Sequence, residues 1–371
     1  MTGNGMIKKI VSVLFAALML FGLILSAGFD SASGWVHNRL IDINGYMAKL
    51  LDIHGLYSDM GMYITDDKYI VSAAPYTTTD YEVKETVALK DFLEDHGVNL
   101  LYVNEPAKYT DDDLLREEFG IASYSNRNMD VFTKRIREAG VNAIDLRDNI
   151  RDEGLSVYDM FYRTDHHWRV PAGLWASRIM ADGLNRYCGY DIDTSVYDED
   201  HFIKSYWKEC WLGEQGRKAG RTYVGLDDFT ELKPDHDTSF TFVKEDGSTF
   251  EGTFDTFVNE GIYDTENDVY ENDSWHYSYI MVPGCINNDV EKGKVLILGD
   301  SYDNVTQPFL ALQIHEVDTL VLRRYDDSFN LRDYIIDNGY DTVIIAYAQF
   351  MVGAHDDPSS DNYGMFAFSG R

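Results

Sequence analysis

A chain of 371 residues, 44% hydrophobic and 26% charged, is long enough for one large or two modest folded domains and has the composition of an ordinary globular protein. Its formal net charge of −31, from 32 basic against 63 acidic residues, argues against nucleic acid as a partner, because gripping phosphates needs Lys and Arg to release counterions. The acidity reads as a solvated, self-repelling surface. Three cysteines, Cys188, Cys210 and Cys285, exclude a disulfide scaffold, and their spacing fits no zinc motif; they read as three structural residues, with a single Cys210–Cys285 bridge as the alternative.

Lys8 and Lys9 precede an uncharged run, Ile10 to Ala27, laid out like the positive and apolar regions of an export signal. The run is near the minimum length for a membrane span, and Ser26, Ala27 and Gly28 fit a cleavage site only loosely. Residues 1–28 are therefore expected to be a signal anchor or a signal peptide, the anchor being favoured. The two lysines would keep the N-terminus in the cytoplasm and place the rest on the extracellular face of the membrane, or in the medium if the segment is cut.

Val36 to Leu51 predicts an amphipathic helix, and Met62 to Ala73 a two-strand hairpin turning at Asp66-Asp67. Next come a helix over Tyr81 to His96 ended by Gly97, a strand over Val98 to Val103, a helix over Asn126 to Ala139 ended by Gly140, and a strand over Val141 to Leu146. Pro171 sits where a first-turn proline belongs, opening a helix whose face is marked by Trp175, Ile179, Met180, Leu184 and Tyr187 and which Gly189 ends. Between about Asp191 and Glu291 the chain turns to Asp, Tyr, Trp, Thr and Gly with short alternating pieces, Ser239 to Val243 and Thr249 to Phe257, and reads as a β-rich insertion. Strand and helix then alternate again: Val295 to Leu298, Gln307 to Gln313, Thr319 to Leu322, Leu331 to Asp337, Thr342 to Ala348. Such alternation predicts an α/β fold with a parallel sheet covered on both faces, made of residues 36–190 and 292–371 around the insertion 191–291.

The chemistry is concentrated in two places. The strand Val295 to Leu298 delivers Gly299-Asp300-Ser301-Tyr302 at its carboxyl end, where open α/β sheets keep their sites, and the helix after it would aim N-terminal N–H groups, those of Ser301 and a neighbour, at a developing oxyanion. Alone, an Asp-Ser before a helix is more often an N-cap. Upstream, Asp165-His166-His167-Trp168 offers an imidazole and a carboxylate, which a serine hydroxyl needs before it can act as a nucleophile. Alternation puts Asp165 and His167 on one side, so the assignment is Ser301 as nucleophile, His167 as base and Asp165 as its orienting acid, with His166 packing or binding substrate. No third ligand at useful spacing supports a metal on the two histidines, and no motif asks for a cofactor. Trp168, Lys108, Tyr302 and Arg324 are further candidates near substrate, and Asn104, after the strand Val98 to Val103, is a candidate oxyanion donor.

With these residues the chain resembles the bacterial DHHW family, whose name is the run at Asp165 to Trp168. Tyr162-Arg163-Thr164, Gly213 to Gly220, Asp227-Asp228-Phe229, Pro308-Phe309-Leu310 and Arg323-Arg324-Tyr325 look like that family's other blocks, and the likeness spans roughly residues 36 to 349. The family is in turn similar to the SGNH-type alginate O-acetylation proteins AlgX and AlgJ, whose Asp-x-His pattern upstream of a serine matches Asp165, His167 and Ser301. The resemblance implies an SGNH-like, flavodoxin-like three-layer α/β/α sandwich, and a serine O-acyltransferase or esterase acting on an exported or cell-surface polysaccharide. It also implies a membrane-bound O-acyltransferase partner that supplies the acyl group. Tyr206, Trp207, Trp211 and Trp275 are aromatic candidates for stacking on sugars, although packing is the safer reading of each. The alternative, from a different class, is a non-catalytic glycan-binding or scaffold protein, against which stands the intact set Ser301, His167 and Asp165. A lipase-like hydrolase is disfavoured because no Gly-x-Ser-x-Gly surrounds Ser301.

Overall fold

Runs such as Leu100-Leu101-Tyr102-Val103, Val295-Leu296-Ile297-Leu298 and Val343-Ile344-Ile345-Ala346 carry no polar alternation, the pattern of strands buried on both faces. A computed structural model describes residues 34–55, 61–108, 112–258, 269–271, 279–326, 328–353 and 362–369. It shows these runs at the centre of an eight-stranded sheet. In chain order the strands are β1 (Met62–Ile64), β2 (Ile70–Ser72), β3 (Asn99–Glu105), β4 (Asn142–Asp145), β5 (Phe202–Trp211), β6 (Asp227–Pro234), β7 (Phe240–Val243), β8 (Thr249–Gly252), β9 (Gly284–Asn287), β10 (Lys294–Leu298), β11 (Glu316–Leu320) and β12 (Thr342–Ala348).

The large sheet has the order β4-β3-β12-β10-β11-β9-β7-β8. Its first five strands are parallel, and β9, β7 and β8 extend it antiparallel. The β-rich segment is thus split: β7, β8 and β9 continue the central sheet, whereas β5 and β6 pair with each other in a separate antiparallel ribbon.

The main helices are α1 (Gly34–Leu50), α2 (Asp80–Asp95), α3 (Ser125–Glu138), α4 (Leu146–Asp152), α5 (Val170–Cys188), α6 (Glu214–Ala219), α7 (Gln307–Leu310) and α8 (Leu331–Asn338). Side-chain alternation on β3 shows the layering. Tyr102 points to one face, edge-on to Phe132 of α3 at 5.1 Å. Its neighbour Leu101 points to the other, toward Gly183 of α5, where a methyl group would collide with Ile144 of β4. Helices therefore cover both faces, giving the mixed α/β fold with a large central sheet expected of an SGNH-like domain.

Helix α5 opens with its proline in the first turn and closes on Gly189 in the left-handed region, as its sequence predicts. Its buried face is carried by Leu174, Ile179, Met180 and Leu184. Each such side chain, taken out of water, stabilises the fold by roughly 1.5–3 kcal/mol. Tyr187 is exposed and not part of that face, whereas Trp175 is half-buried at its edge, packed against the core while its indole N–H reaches Glu153.

The candidate Cys210–Cys285 bridge is not formed. All three cysteines are free, since Cys210 lies on the β5–β6 ribbon and buried Cys285 on β9 of the central sheet. Among the described residues no helix is long and apolar enough to cross a membrane, and the run Ile10 to Ala27 lies outside the described residues.

Candidate active site

The segment Tyr162 to Trp168 forms a tight loop closed at its base. Phe161 bridges Trp168 antiparallel, Tyr162 N–H reaches the His167 carbonyl at 3.2 Å, and Arg169 N–H reaches the Met160 carbonyl at 2.8 Å. Asp165 turns back on its own loop, its Oδ1 accepting the backbone N–H of His167 at 3.0 Å and lying 2.6 Å from His167 Nδ1. Its other oxygen accepts the N–H of Glu214, the first residue of α6, at 2.8 Å. His167 Nε2 stands 2.7 Å from Ser301 Oγ. Ser301, His167 and Asp165 therefore form one continuous line of hydrogen bonds across 134 residues of sequence, with Asp165 fully buried and His167 nearly so.

Distant segments hold the loop. Asp227, at the start of β6, accepts the N–H of Arg163 at 2.9 Å and both the N–H and the hydroxyl of Thr164, at 2.8 and 2.6 Å. Thr164 in turn accepts the N–H of Gly213 on its Oγ1 and that of Gly216 on its carbonyl. Lys108, buried, donates to the Arg163 carbonyl at 3.1 Å and to Gln215 Oε1 at 3.2 Å. Loss of water pushes the Lys108 ammonium down to about 7, against the pull of Asp165 and Asp227.

The serine leaves β10 on a short turn, Ser301–Asn304, capped by Asp300. Asp300 Oδ1 accepts the Tyr302 N–H at 2.9 Å, while the Ser301 N–H has no partner among the described residues. The N-cap reading and the nucleophile reading of Asp300-Ser301 are thus compatible, since the cap shapes the turn that presents the hydroxyl.

A cavity of about 410 Å³ opens over this line, lined by His166, His167, Ser301, Asn304, Met281, Val321, Glu214, Arg217, Arg323 and Arg324. Three of the four charged side chains other than histidine there are arginines, in a chain with about twice as many acidic as basic residues. Asn304 is buried, and its Nδ2 has no hydrogen-bond partner among the described residues.

The remaining sequence candidates divide. His166 and Arg324 line the cavity, His166 with its ring 3.9 Å from that of His167. Trp168 and Tyr302 are buried supports: Trp168 Nε1 donates to the Tyr302 carbonyl at 3.0 Å, and the Tyr302 hydroxyl donates to the His166 carbonyl at 2.6 Å. Lys108 is beneath the loop and not on the cavity wall. Asn104 does not line the cavity either: its Nδ2 is committed to Asp145 Oδ1 at 2.8 Å, because the end of β3 turns this side chain toward neighbouring β4. Asp165, His166 and His167 each offer a ligand atom within 4.8 Å of the others, yet both ring nitrogens of His167 are engaged, by Asp165 and by Ser301. Sequence reasoning missed Asn304, Arg217 and Arg323, and gave no role to Asp227 or Gly213. The blocks Gly213 to Gly220 and Asp227-Asp228-Phe229 were the signal for the last two.

Fold and site together define an α/β protein with a Ser-His-Asp line at the carboxyl edge of a parallel sheet. Residues 59–195, the stretch that contains Asp165 to Trp168, match the family model "SGNH hydrolase-like domain, acetyltransferase AlgX". Among solved structures, Bacillus cereus PatB1 shares the fold with a TM-score of 0.64 and 19% identity, over 82% of this chain and 98% of that one. A DHHW family protein from Eubacterium siraeum shares it with a TM-score of 0.59 and 16% identity, over 82% and 93%. A fainter likeness, with a TM-score of 0.45 and 15% identity over 83% and 98%, is to the O-acetyltransferase domain of Pseudomonas putida AlgJ. No curated protein matches the sequence.

Proposed function

We propose that this chain is an SGNH-type serine O-acyltransferase or esterase that places or removes an acyl group, acetyl foremost, on hydroxyls of an exported or cell-surface polysaccharide. The observation that carries the reading is the line Asp165–His167–Ser301 ending on an open cavity. The matched family model, described as an acetyltransferase domain, supports the acyl group and the transfer chemistry.

In this reading neutral His167 donates Nδ1–H to Asp165 and accepts the Ser301 proton on Nε2 as Oγ attacks the acyl carbonyl. Asp165, on which the N–H groups of His167 and Glu214 also converge, fixes the tautomer and stabilises the imidazolium. The oxyanion is received by the unpartnered N–H of Ser301 and by Asn304 Nδ2, whose missing partner would arrive with the transition state. His167 then returns its proton to the leaving group and activates the incoming hydroxyl, that of a sugar in transfer or of water in hydrolysis. Arg217, Arg323 and Arg324 favour an acceptor bearing carboxylate or phosphate groups, whose approach to so acidic a chain would otherwise be opposed.

The lysine pair and apolar run at the N-terminus support an extracellular, membrane-anchored enzyme, and a membrane-bound O-acyltransferase is the partner that would supply its acyl group. PatB1 has been solved with a sulfonyl adduct, so a sulfonyl fluoride is a natural probe of this serine. Mass spectrometry of the treated protein is expected to find the adduct on Ser301 and to lose it in Ser301→Ala and His167→Ala. A chromogenic acetate ester should be cleaved with the same dependence, and acetylated sugar on adding oligosaccharide would mark transfer. Equal labelling and equal hydrolysis in wild type and both variants would defeat the proposal.

A further inference from the structure

Beneath the serine turn, carboxylate oxygens of Glu105, Asp300 and Asp303 lie within 4.8 Å of one another, and all three residues are completely buried. Glu105 and Asp300 come from the ends of β3 and β10, the two strands that flank β12, and Asp303 from the turn after β10. Glu105 is the last residue of β3 and lies in register with Ala348, the last of β12, while Asp300 follows β10 and directly precedes Ser301.

Their hydrogen bonds differ. Asp300 accepts the N–H of Tyr302 and that of Ala348, each at 2.9 Å. Asp303 accepts the Thr306 hydroxyl at 2.6 Å and the Asp300 N–H at 3.1 Å. Among the described residues nothing donates to either oxygen of Glu105. A fully buried carboxylate without a protein donor among the described residues and beside two others is the least tolerable charge in the group, so this is where a proton must reside. We propose that Glu105 is a neutral acid which donates its O–H to the Asp300–Asp303 pair, and so acts as a positioning residue that ties β3 to the nucleophile turn.

Burial, reinforced by Asp303 and Asp300, raises Glu105 well above the usual carboxyl range; burial and Asp300 raise Asp303 as well, and it is the donors that Asp303 accepts and Glu105 lacks that put the proton on Glu105. The other groups facing the cluster do not replace the proton. Arg323 and His166 act on Asp300, and the phenols of Tyr102, Tyr302 and Tyr347, all raised by burial, stay neutral. A bound cation is the competing occupant, but four of the six oxygens already accept N–H or O–H groups.

The protonation state stands apart from the proposed reaction; the positioning role rests on it. The test uses Glu105→Gln, whose amide N–H can replace the acid's donor, and Glu105→Ala, which cannot. The infrared difference between wild type and Glu105→Gln at neutral pH is expected to contain a protonated-carboxyl band, and elemental analysis of the purified protein to find no stoichiometric divalent cation. In the ester assay Glu105→Gln should keep near-native kcat, and Glu105→Ala should lose about 10²-fold with KM little changed, the scale expected for a nucleophile displaced by roughly 1 Å. Wild-type kcat should also fall reversibly at alkaline pH where that of Glu105→Gln does not. Absence of the band, one equivalent of bound metal, or Glu105→Gln as inactive as Glu105→Ala with native melting would overturn the proposal. A silent ester assay beside a present band would count against the acyl-transfer reading and not against the proton.

Discussion

Replacing Gly213 with alanine should disable the site from behind without touching Ser301, His167 or Asp165. A Cβ on Gly213 would lie 2.5 Å from Asp165 Cβ, 2.6 Å from the Thr164 carbonyl oxygen and 2.8 Å from Asp165 Oδ2. Apolar carbons settle about 3.5–4.0 Å apart, so the deficit against Asp165 is about 1 Å. Neither neighbour can swing aside, because one is backbone and the other is held by the N–H groups of His167 and Glu214. Since Gly213 has ordinary extended dihedrals, crowding alone and no backbone strain would be responsible. A shift of about 1 Å in the carboxylate that orients His167 should lower kcat about 10²-fold, about 2.7 kcal/mol of barrier, with KM nearly unchanged. Overpacking should cost a further 1–3 kcal/mol of stability, roughly. Ester hydrolysis and the rate of sulfonylation at Ser301 would be measured beside Gly34→Ala, a site with open space around it and an expected null result. Native rates and native melting for Gly213→Ala would refute the claim that the 212–216 segment sets the position of Asp165.

Asn304→Ala should reduce kcat by about 10²–10³-fold while leaving KM and sulfonyl-enzyme stability close to native, if its amide serves the oxyanion; a loss confined to KM would assign it to substrate binding instead. Arg324→Ala should raise KM for a carboxylate- or phosphate-bearing oligosaccharide but not for a neutral acetate ester, and the difference should shrink as salt is added. Asp318, buried on β11 against the Tyr340 hydroxyl, is raised from 3.8 to about 6, chiefly by desolvation. Its contribution to stability is complete below the unfolded value and is lost as pH rises through about 6, so Asp318→Asn should stabilise the protein near pH 7.5 by up to about 3 kcal/mol. Denaturation midpoints of the two proteins should converge toward pH 4, and an unchanged gap across that range would contradict the sign.

How much of this was legible in the sequence depended on whether the signal was local. The strand β12 was readable to the residue because Thr342–Ala348 is uninterrupted and buried throughout. The start of β11 was missed because Glu316 and Asp318 look like loop; in the fold Lys294 pairs with the first and the Tyr340 hydroxyl with the second. The pairing of β7, β8 and β9 with the central sheet was hidden for another reason: alternation announces a strand but not the sheet it joins. Asp165, His167 and Ser301 could be named because their chemistry is rare at that spacing. Asn104 was selected by its place after a strand, and failed because the side chain of a strand's end residue can turn to a neighbouring strand, here to Asp145. Asn304 had no sequence signal, since only the turn after Ser301 brings it to the cavity.

The short-range motif therefore supplies the reactive groups and long-range contacts supply their geometry. Asp165, His166, His167 and Trp168 are consecutive, but the loop that bears them is gripped by Asp227 from β6, by Gly213 and Gly216 from the segment around α6, and by Lys108 from the end of β3. Ser301 is held in a like way, by a cap whose second oxygen is anchored to Ala348 of β12. No single element contains the candidate site, so the β5–β6 ribbon and the segment between its strands are part of the scaffold of that site and not an appendage to it. An arginine of the cavity wall also faces the buried acids behind the site: Arg323 acts on fully buried Asp300, the residue that caps the Ser301 turn.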